Sequence, residues 1–490
     1  MTATENTLLN EQDWHGKAFT GSWKATAGGT VDVIEKATGK RLTSVGLAVA
    51  KDVAASARAA TEAQEQWAAA PYETRAAIFR KAARIVEENG PEFADWIIRE
   101  TGAIGAKADV ELHMAAGILY QSSAMLTEPQ GIVLPSNAGR MSIARRVPHG
   151  VVGVISPFNF PLILSVRAVS PALATGNAVI LKPDLRTPVT GGFLIARIFE
   201  EAGLPAGLLH VLPGGVEAGE ALCTDPRIAM IAFTGSTANG RRVGALAGEH
   251  LKRVSLELGG KNSIIILDDA DLDAAASNAR FGAWLHQGQI CMTAGRILVQ
   301  EKVAGALVQK LVDVANALPV GDPAGGNVAL GPIINETQLQ RVHGIIRDSV
   351  AAGARLKAGG TYEGLFYRPT VLDGVKPGMR VFDEEIFGPV ASVTTFASDD
   401  EAVALSNQTE YGLSASVISG SVTRALALGN RLKTGLLHIN DRTVADEPHV
   451  PFGGRGASGN GTRIGGPANW EEFTQWQWLT IKDKAPTYPF

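Results

Sequence analysis

The chain has 490 residues, 45% hydrophobic and 19% charged, with a formal net charge of −4. That length exceeds one ordinary core and points to two or three domains. No basic run suggests a nucleic-acid partner, and two cysteines make neither a disulfide framework nor a zinc site, so no metal is expected and a reducing cytoplasm fits.

The N-terminal stretch MTATENTLLNEQDWHGKAF is polar and acidic, without the basic segment and apolar core of a secretory signal. Residues 52–101 have helical periodicity. Val53, Ala57, Ala60 and Trp67 share one face, as do Ile78, Ala82 and Ile85, and Pro71 and Gly90-Pro91 divide the region into three packing helices. The most apolar stretch, residues 150–166, contains Pro157 and Pro161 and falls short of the about 20 apolar residues of a membrane helix. A soluble cytoplasmic protein with no membrane partner is expected.

From Gly150 short apolar runs ending in glycine or proline alternate with helical stretches. GVVGVISP precedes LILSVRAVSPALATG, AVILKP precedes TGGFLIARIFEEAG, LLHVLPGG precedes VEAGEALCT, and IAMIAFTGS precedes TANGRRVGALAGEH. This alternation predicts an α/β fold with a parallel sheet covered on both faces, and ligands at the carboxyl ends of its strands. RVSLELGG is predicted as a further strand ending near Gly259. After NSIIILDD, the helix LDAAASNARFGAWLHQGQ would deliver Cys291. A second βα series starts at RILVQ and runs to about residue 440, so a domain change is placed near 255–262. The terminal WEEFTQWQWLTI reads as one strand that pairs elsewhere, on another subunit.

Four stretches have chemical potential. Cys291, in GQICMTAGR, would be a nucleophile if N–H dipoles or a cation lowered its pKa; a lone cysteine is more often inert, which is the reading for Cys223. Glu257 lies between Leu256 and Leu258 in an apolar strand. It is either a desolvated general base, a partner of a buried salt bridge with Lys261, or a solvent-facing residue. Asn159, in SPFNFP, could donate to an oxyanion or simply cap a turn. In FTGSTANG, Gly235 and Ser236 open a helix where a phosphate would fit, whereas GGVEAG, with Gly215, departs from the usual dinucleotide fingerprint.

The order SPFNFP, LKPD, FTGS, LELGGK, GQIC, EEIFGPV, PFGG resembles the aldehyde dehydrogenase superfamily over residues 15–482, and HQGQICM and LKPDLRTP are most similar to its benzaldehyde and vanillin dehydrogenase branch. The resemblance implies a Rossmann-type nucleotide-binding domain (1–123 and 147–258), an α/β catalytic domain (259–455) and a β oligomerisation arm (124–146 and 472–490), in a homodimer or homotetramer. It implies that Cys291 attacks the aldehyde, that Asn159 holds the oxyanion, and that Glu257 activates water to hydrolyse the thioester. It assigns Lys182, Gly215, Gly235, Ser236, Glu385 and Phe387 to an NAD site, and Phe160 and Phe452 to the substrate tunnel. Residues alone would make Glu384 and Glu385 a solvated pair. Two departures stand out. Leu185 replaces a glutamate that excludes a 2′-phosphate, so NADP is tolerated as well; Phe158 replaces a tryptophan. His286 stands where relatives often have asparagine and receives no role. The resemblance leaves as alternatives an aliphatic or semialdehyde dehydrogenase, a coenzyme-A-acylating member and a non-catalytic member.

Overall fold

The computed structural model describes residues 7–490; the first six residues of the polar N-terminal stretch lie outside the described residues. The three helices read from periodicity are Ala50–Ala69, Tyr72–Glu88 and Gly90–Thr101, followed by a fourth, Gly105–Ala124. Gly102 ends the third helix in the left-handed region, and Pro332 occupies the space a Cβ there would need.

Two seven-stranded sheets organise the chain. The first carries five parallel strands in the order Arg253–Glu257, Ile228–Thr234, Val151–Ile155, Ala178–Lys182, Leu209–Val211. An N-terminal hairpin, Lys17–Phe19 and Trp23–Ala25, extends this sheet antiparallel. Every residue of Val151–Ile155 is buried, because helices cover both faces of the sheet. Chain order reverses between Val151–Ile155 and Ile228–Thr234, where α/β sheets open a ligand crevice at their strand ends. The second sheet runs through Ser263–Ile266, Arg296–Gln300, Val390–Phe396, Ser414–Ile418 and Leu436–Ile439, with Thr370–Asp373 and the antiparallel Arg355–Ala358 at its other edge. A third, antiparallel sheet joins Gly131–Val133, Met141–Pro148 and Thr474–Ile481.

Three local expectations are corrected. WEEF is the end of a helix, Ala468–Phe473, and only then does the strand Thr474–Ile481 begin. Trp470 and Phe473 are both buried three residues apart, a helical spacing that the aromatic alternation farther on conceals. The strand before LGGK stops at Glu257 rather than near Gly259. The helix expected to reach Cys291 ends at Trp284, after which His286, Gln287 and Gly288 are left-handed in succession. Among the described residues no helix is long and apolar enough to cross a membrane.

Candidate active site

The loop carrying Cys291 is built by backbone contacts. Gly288, at φ 66°, lies so close to Gly388 that a Cβ would strike the Gly388 carbonyl. The Thr293 hydroxyl donates to the carbonyls of Gly288 (3.0 Å) and Ile290 (2.7 Å). The Asn262 amide donates to Cys291 O (2.7 Å) and Thr293 O (2.9 Å). Asn262 follows LELGGK directly, and nothing in its residue type marked it as the clamp of the nucleophile's backbone. Gly260 packs against the same carbonyl: a Cβ there would lie 2.5 Å from Cys291 O. Gly260 therefore lets the chain after Glu257 approach the Cys291 loop.

Cys291 is half-buried. Burial pushes its thiol up to about 12, the carboxylates of Glu385, Glu257 and Asp446 push the same way, and only the Met292 N–H opposes them. The sequence-based requirement that a cation or N–H dipoles lower this pKa is thus not met in the free protein. The resting sulfur is a thiol, and its attack needs a base to take the proton.

A base is present. Glu257 is 5% exposed, and neither carboxylate oxygen has a hydrogen-bond partner. Burial raises its proton affinity well above the usual carboxylate range; Arg463 and Arg167 oppose that shift, and Glu472 and Asp446 add to it. The salt bridge with Lys261 does not form, since Lys261 donates instead to Val381 O (2.8 Å). A Cβ on Gly453, in PFGG, would lie 2.7 Å from Glu257 Oε1, so that glycine leaves room for the carboxylate. An orphaned buried carboxylate costs folding free energy and is expected where it is used.

Asn159 is buried at the end of the strand Val151–Ile155, and its Nδ2 donates one hydrogen to Gln289 O (2.8 Å). The second amide hydrogen remains for a substrate oxygen. Phe160, Phe452, Met292 and Cys291 belong to one apolar cluster, which brings the two sequence-predicted tunnel aromatics and the nucleophile candidate into the same packed group.

The residues expected to hold a nucleotide fall along the carboxyl ends of the first sheet. Lys182 ends its strand half-buried; burial lowers its proton affinity, Asp184 opposes this and Arg186 adds to it. Gly215 caps the helix Val216–Thr224, whose Gly219 faces the Lys182 stem. Ser236 is exposed and caps the helix Thr237–Glu249 by accepting from Asn239 N (3.3 Å). The Gly235 N–H, read from sequence as a phosphate donor, donates to Glu257 O (3.0 Å) and is already committed. Glu385 is no solvated residue: it accepts from Gly260 N (3.0 Å), and a Cβ on Gly259 would strike its carboxylate. Glu384 does face outward, paired with Arg380 (2.6 Å). Phe387 is left-handed at φ 57°, with its carbonyl held by Gln338 Nε2 (2.9 Å). Its ring meets Phe158 at 5.8 Å, and the Arg186 guanidinium lies 3.9 Å from the Phe158 ring, so an aromatic and cationic stack stands where the tryptophan is missing.

The sequence reading missed an ion pair on the helix Gly105–Ala124. Lys107 and Glu111 are in contact with both side chains fully buried, and Glu111 Oε2 accepts from Leu162 N (3.0 Å) and Ile163 N (3.3 Å). The i,i+4 spacing was the available signal, but such pairs are ordinarily solvated.

The chain is similar to known proteins along nearly its whole length. Residues 23–479 match the model of the aldehyde dehydrogenase family. A vanillin dehydrogenase of Amycolatopsis sp. is 54% identical over 99% of this chain and 100% of its own. A benzaldehyde dehydrogenase [NAD(+)] of Pseudomonas putida is 52% identical over 97% of this chain and 98% of its own. A betaine aldehyde dehydrogenase from Staphylococcus aureus, solved in complex with NAD+, superposes with TM-score 0.94 at 28% identity, covering 98% of this chain and 96% of that one. The chain belongs to the aldehyde dehydrogenase family.

Proposed function

We propose that this chain oxidises aromatic aldehydes of the benzaldehyde and vanillin kind to carboxylic acids, with NAD as hydride acceptor. The observation that carries the reading is a half-buried thiol, part of an apolar and aromatic cluster, under the charge of a buried, unpartnered carboxylate. The identities of the vanillin and benzaldehyde dehydrogenases named above support the substrate class.

Glu257 takes the Cys291 proton, and the sulfur adds to the aldehyde carbon. The carbonyl oxygen gains the negative charge and is met by the free Asn159 amide hydrogen and the Cys291 N–H. NAD, when bound, accepts the hydride from the tetrahedral carbon. The oxyanion then collapses to a thioester on Cys291. Glu257, having released its first proton to solvent, takes one from water; hydroxide adds to the thioester carbon and the thiolate leaves, giving acid and free Cys291. Burial raises the proton affinity of this one carboxylate and so strengthens it as the base for both transfers.

The residues present suit the cofactor. Lys182 and the open start of the helix Thr237–Glu249 offer cation and N–H groups for the adenosine and pyrophosphate, and Glu385 offers acceptors for a ribose. No carboxylate side chain stands at Leu185, so a 2′-phosphate meets no repulsion from that position and NADP is tolerated. A domain boundary near 258 is supported by the first sheet ending at Glu257 and the second beginning at Ser263, and an arm of 124–146 with 472–490 by the separate sheet of Gly131–Val133, Met141–Pro148 and Thr474–Ile481. The edge strand Thr474–Ile481 exposes Trp476 and Trp478, which supports pairing with a second copy in a homodimer or homotetramer. Both cysteines are unpaired, which supports a cytoplasmic setting.

The test is a set of initial rates with benzaldehyde, vanillin, hexanal and succinic semialdehyde, each with NAD and with NADP. The expected result is the highest kcat/KM for the two aromatic aldehydes with NAD; preference for hexanal or the semialdehyde refutes the substrate class.

A further inference from the structure

The geometry points to Lys107, Glu111 and His286 as a buried framework that fixes the ring of Phe160 and thereby sets the preference of the cleft for flat aromatic aldehydes. The inference rests on the proposed function, because it takes the apolar cluster around Cys291 as the aldehyde cleft.

Phe160 is held from two sides. The Lys107 ammonium sits 4.5 Å from its ring centroid, within cation–π range. The His286 ring meets it at 5.5 Å with an interplanar angle of 72°, an edge-on contact. His286 is 1% exposed and neither ring nitrogen has a hydrogen-bond partner. Burial first, and then the Lys107 charge, holds the imidazole well below its usual pKa, so it packs as a neutral aromatic.

The backbone under Phe160 is held by the same group. Glu111 accepts from Leu162 N and Ile163 N, the first free N–H groups of the helix Pro161–Ala174, and so anchors the turn that carries Asn159 and Phe160. Phe160 also packs on the cluster of Cys291, Met292 and Phe452. His286 closes the loop from the other side: its carbonyl accepts from Gln289 N (3.0 Å), and Gln289 O accepts from Asn159 (2.8 Å).

A fully buried ion pair adds little net stability compared with well-packed apolar side chains. Its retention below an active-site aromatic fits a role in orientation. A flat substrate ring gains from a wall of fixed plane, whereas a flexible alkyl chain adapts to a tilted one. These three are positioning residues: none needs to touch the aldehyde.

Two variants test the framework. The double substitution Lys107→Met with Glu111→Gln removes both charges together and leaves no lone buried ion. His286→Asn removes the ring edge, and asparagine tolerates the left-handed backbone at φ 49°. The readout is the ratio of kcat/KM for benzaldehyde to that for hexanal, with the thermal midpoint recorded beside it. The expected result is a ratio lowered on the order of tenfold in each variant, through loss on benzaldehyde while hexanal is retained. If both substrates lose rate in parallel, or the ratio stays within about twofold of wild type while the midpoint falls, the group is only a helix anchor and the inference fails. His286→Asn leaves the ion pair intact, so it decides the matter if the double variant does not fold. Wild-type preference for hexanal would count against the proposed substrate class, and the variant-to-wild-type change in ratio would still judge the framework.

Discussion

The helix Val216–Thr224 and the loop after Trp284 each hold one cysteine, and burial raises both thiols, Cys223 to about 11 and Cys291 to about 12. Resting proton affinity does not separate them, although Cys223 has the cations Lys252 and Arg242 working in its favour against Glu220. Yet Cys223 is 0% exposed in the core of the first sheet. Cys291 lies under the charge of a carboxylate with two unpartnered oxygens, and Gln289 O, two residues before it, takes one Asn159 amide hydrogen and leaves the other free. A nucleophile is made by what takes its proton and what meets the charge it creates, more than by the pKa it holds at rest.

The sharpest way to break this comparison is to remove each thiol in turn by substitution with alanine. Cys291→Ala is expected to lose at least about 10³-fold in steady-state turnover, read by reduced-cofactor absorbance; near-normal turnover would remove the thioester chemistry altogether. Next in size is Glu257→Gln, expected to slow both the burst of reduced cofactor and the steady state about 10²–10⁴-fold, since it removes the base of both proton transfers. A burst at the wild-type rate would take the first proton transfer from Glu257, and an undiminished steady state would take the second. Asn159→Ala is expected to slow the burst itself about 10²–10³-fold, since it removes an oxyanion donor.

The pH profile sharpens the comparison further. Glu257 works as a base only when ionised, and burial raises its pKa above the ordinary value of 4.5. Deacylation should therefore rise with pH through a midpoint above that value and fall below it; an acid limb at or under 4.5 would show an unburied base. The smallest effect is expected at the other cysteine. Cys223→Ala should keep full activity and lose about 1–2 kcal/mol in denaturant unfolding, the cost of a small core cavity. Loss of activity at unchanged stability would mean that the inert reading of Cys223 is wrong.

Much of the site could be read along the chain because its residues sit where strands stop. Asn159 follows a run of apolar residues, and Glu257 stands out as a charge inside one. Lys182 ends a third. The ends of elements were less legible. WEEF, and the left-handed turn at His286 and Gln287, are held by packing and by the close approach of Gly288 to Gly388, which no local pattern encodes. Glu385 looked solvated because its neighbour Glu384 is, and it is held by the distant Gly259-Gly260 pair, which no local pattern announces.

Period and punctuation alone determined that strands alternate with helices from residue 150, and ordered motifs determined the family, because both are properties of neighbours in the chain. The tertiary structure decided that Gly235 spends its N–H on Glu257, that Asn262 clamps the Cys291 backbone, and that Lys107 and Glu111 lie buried beneath Phe160. Those outcomes depend on which surfaces exclude water around residues far apart in sequence, and desolvation is a property of the assembled fold rather than of any segment.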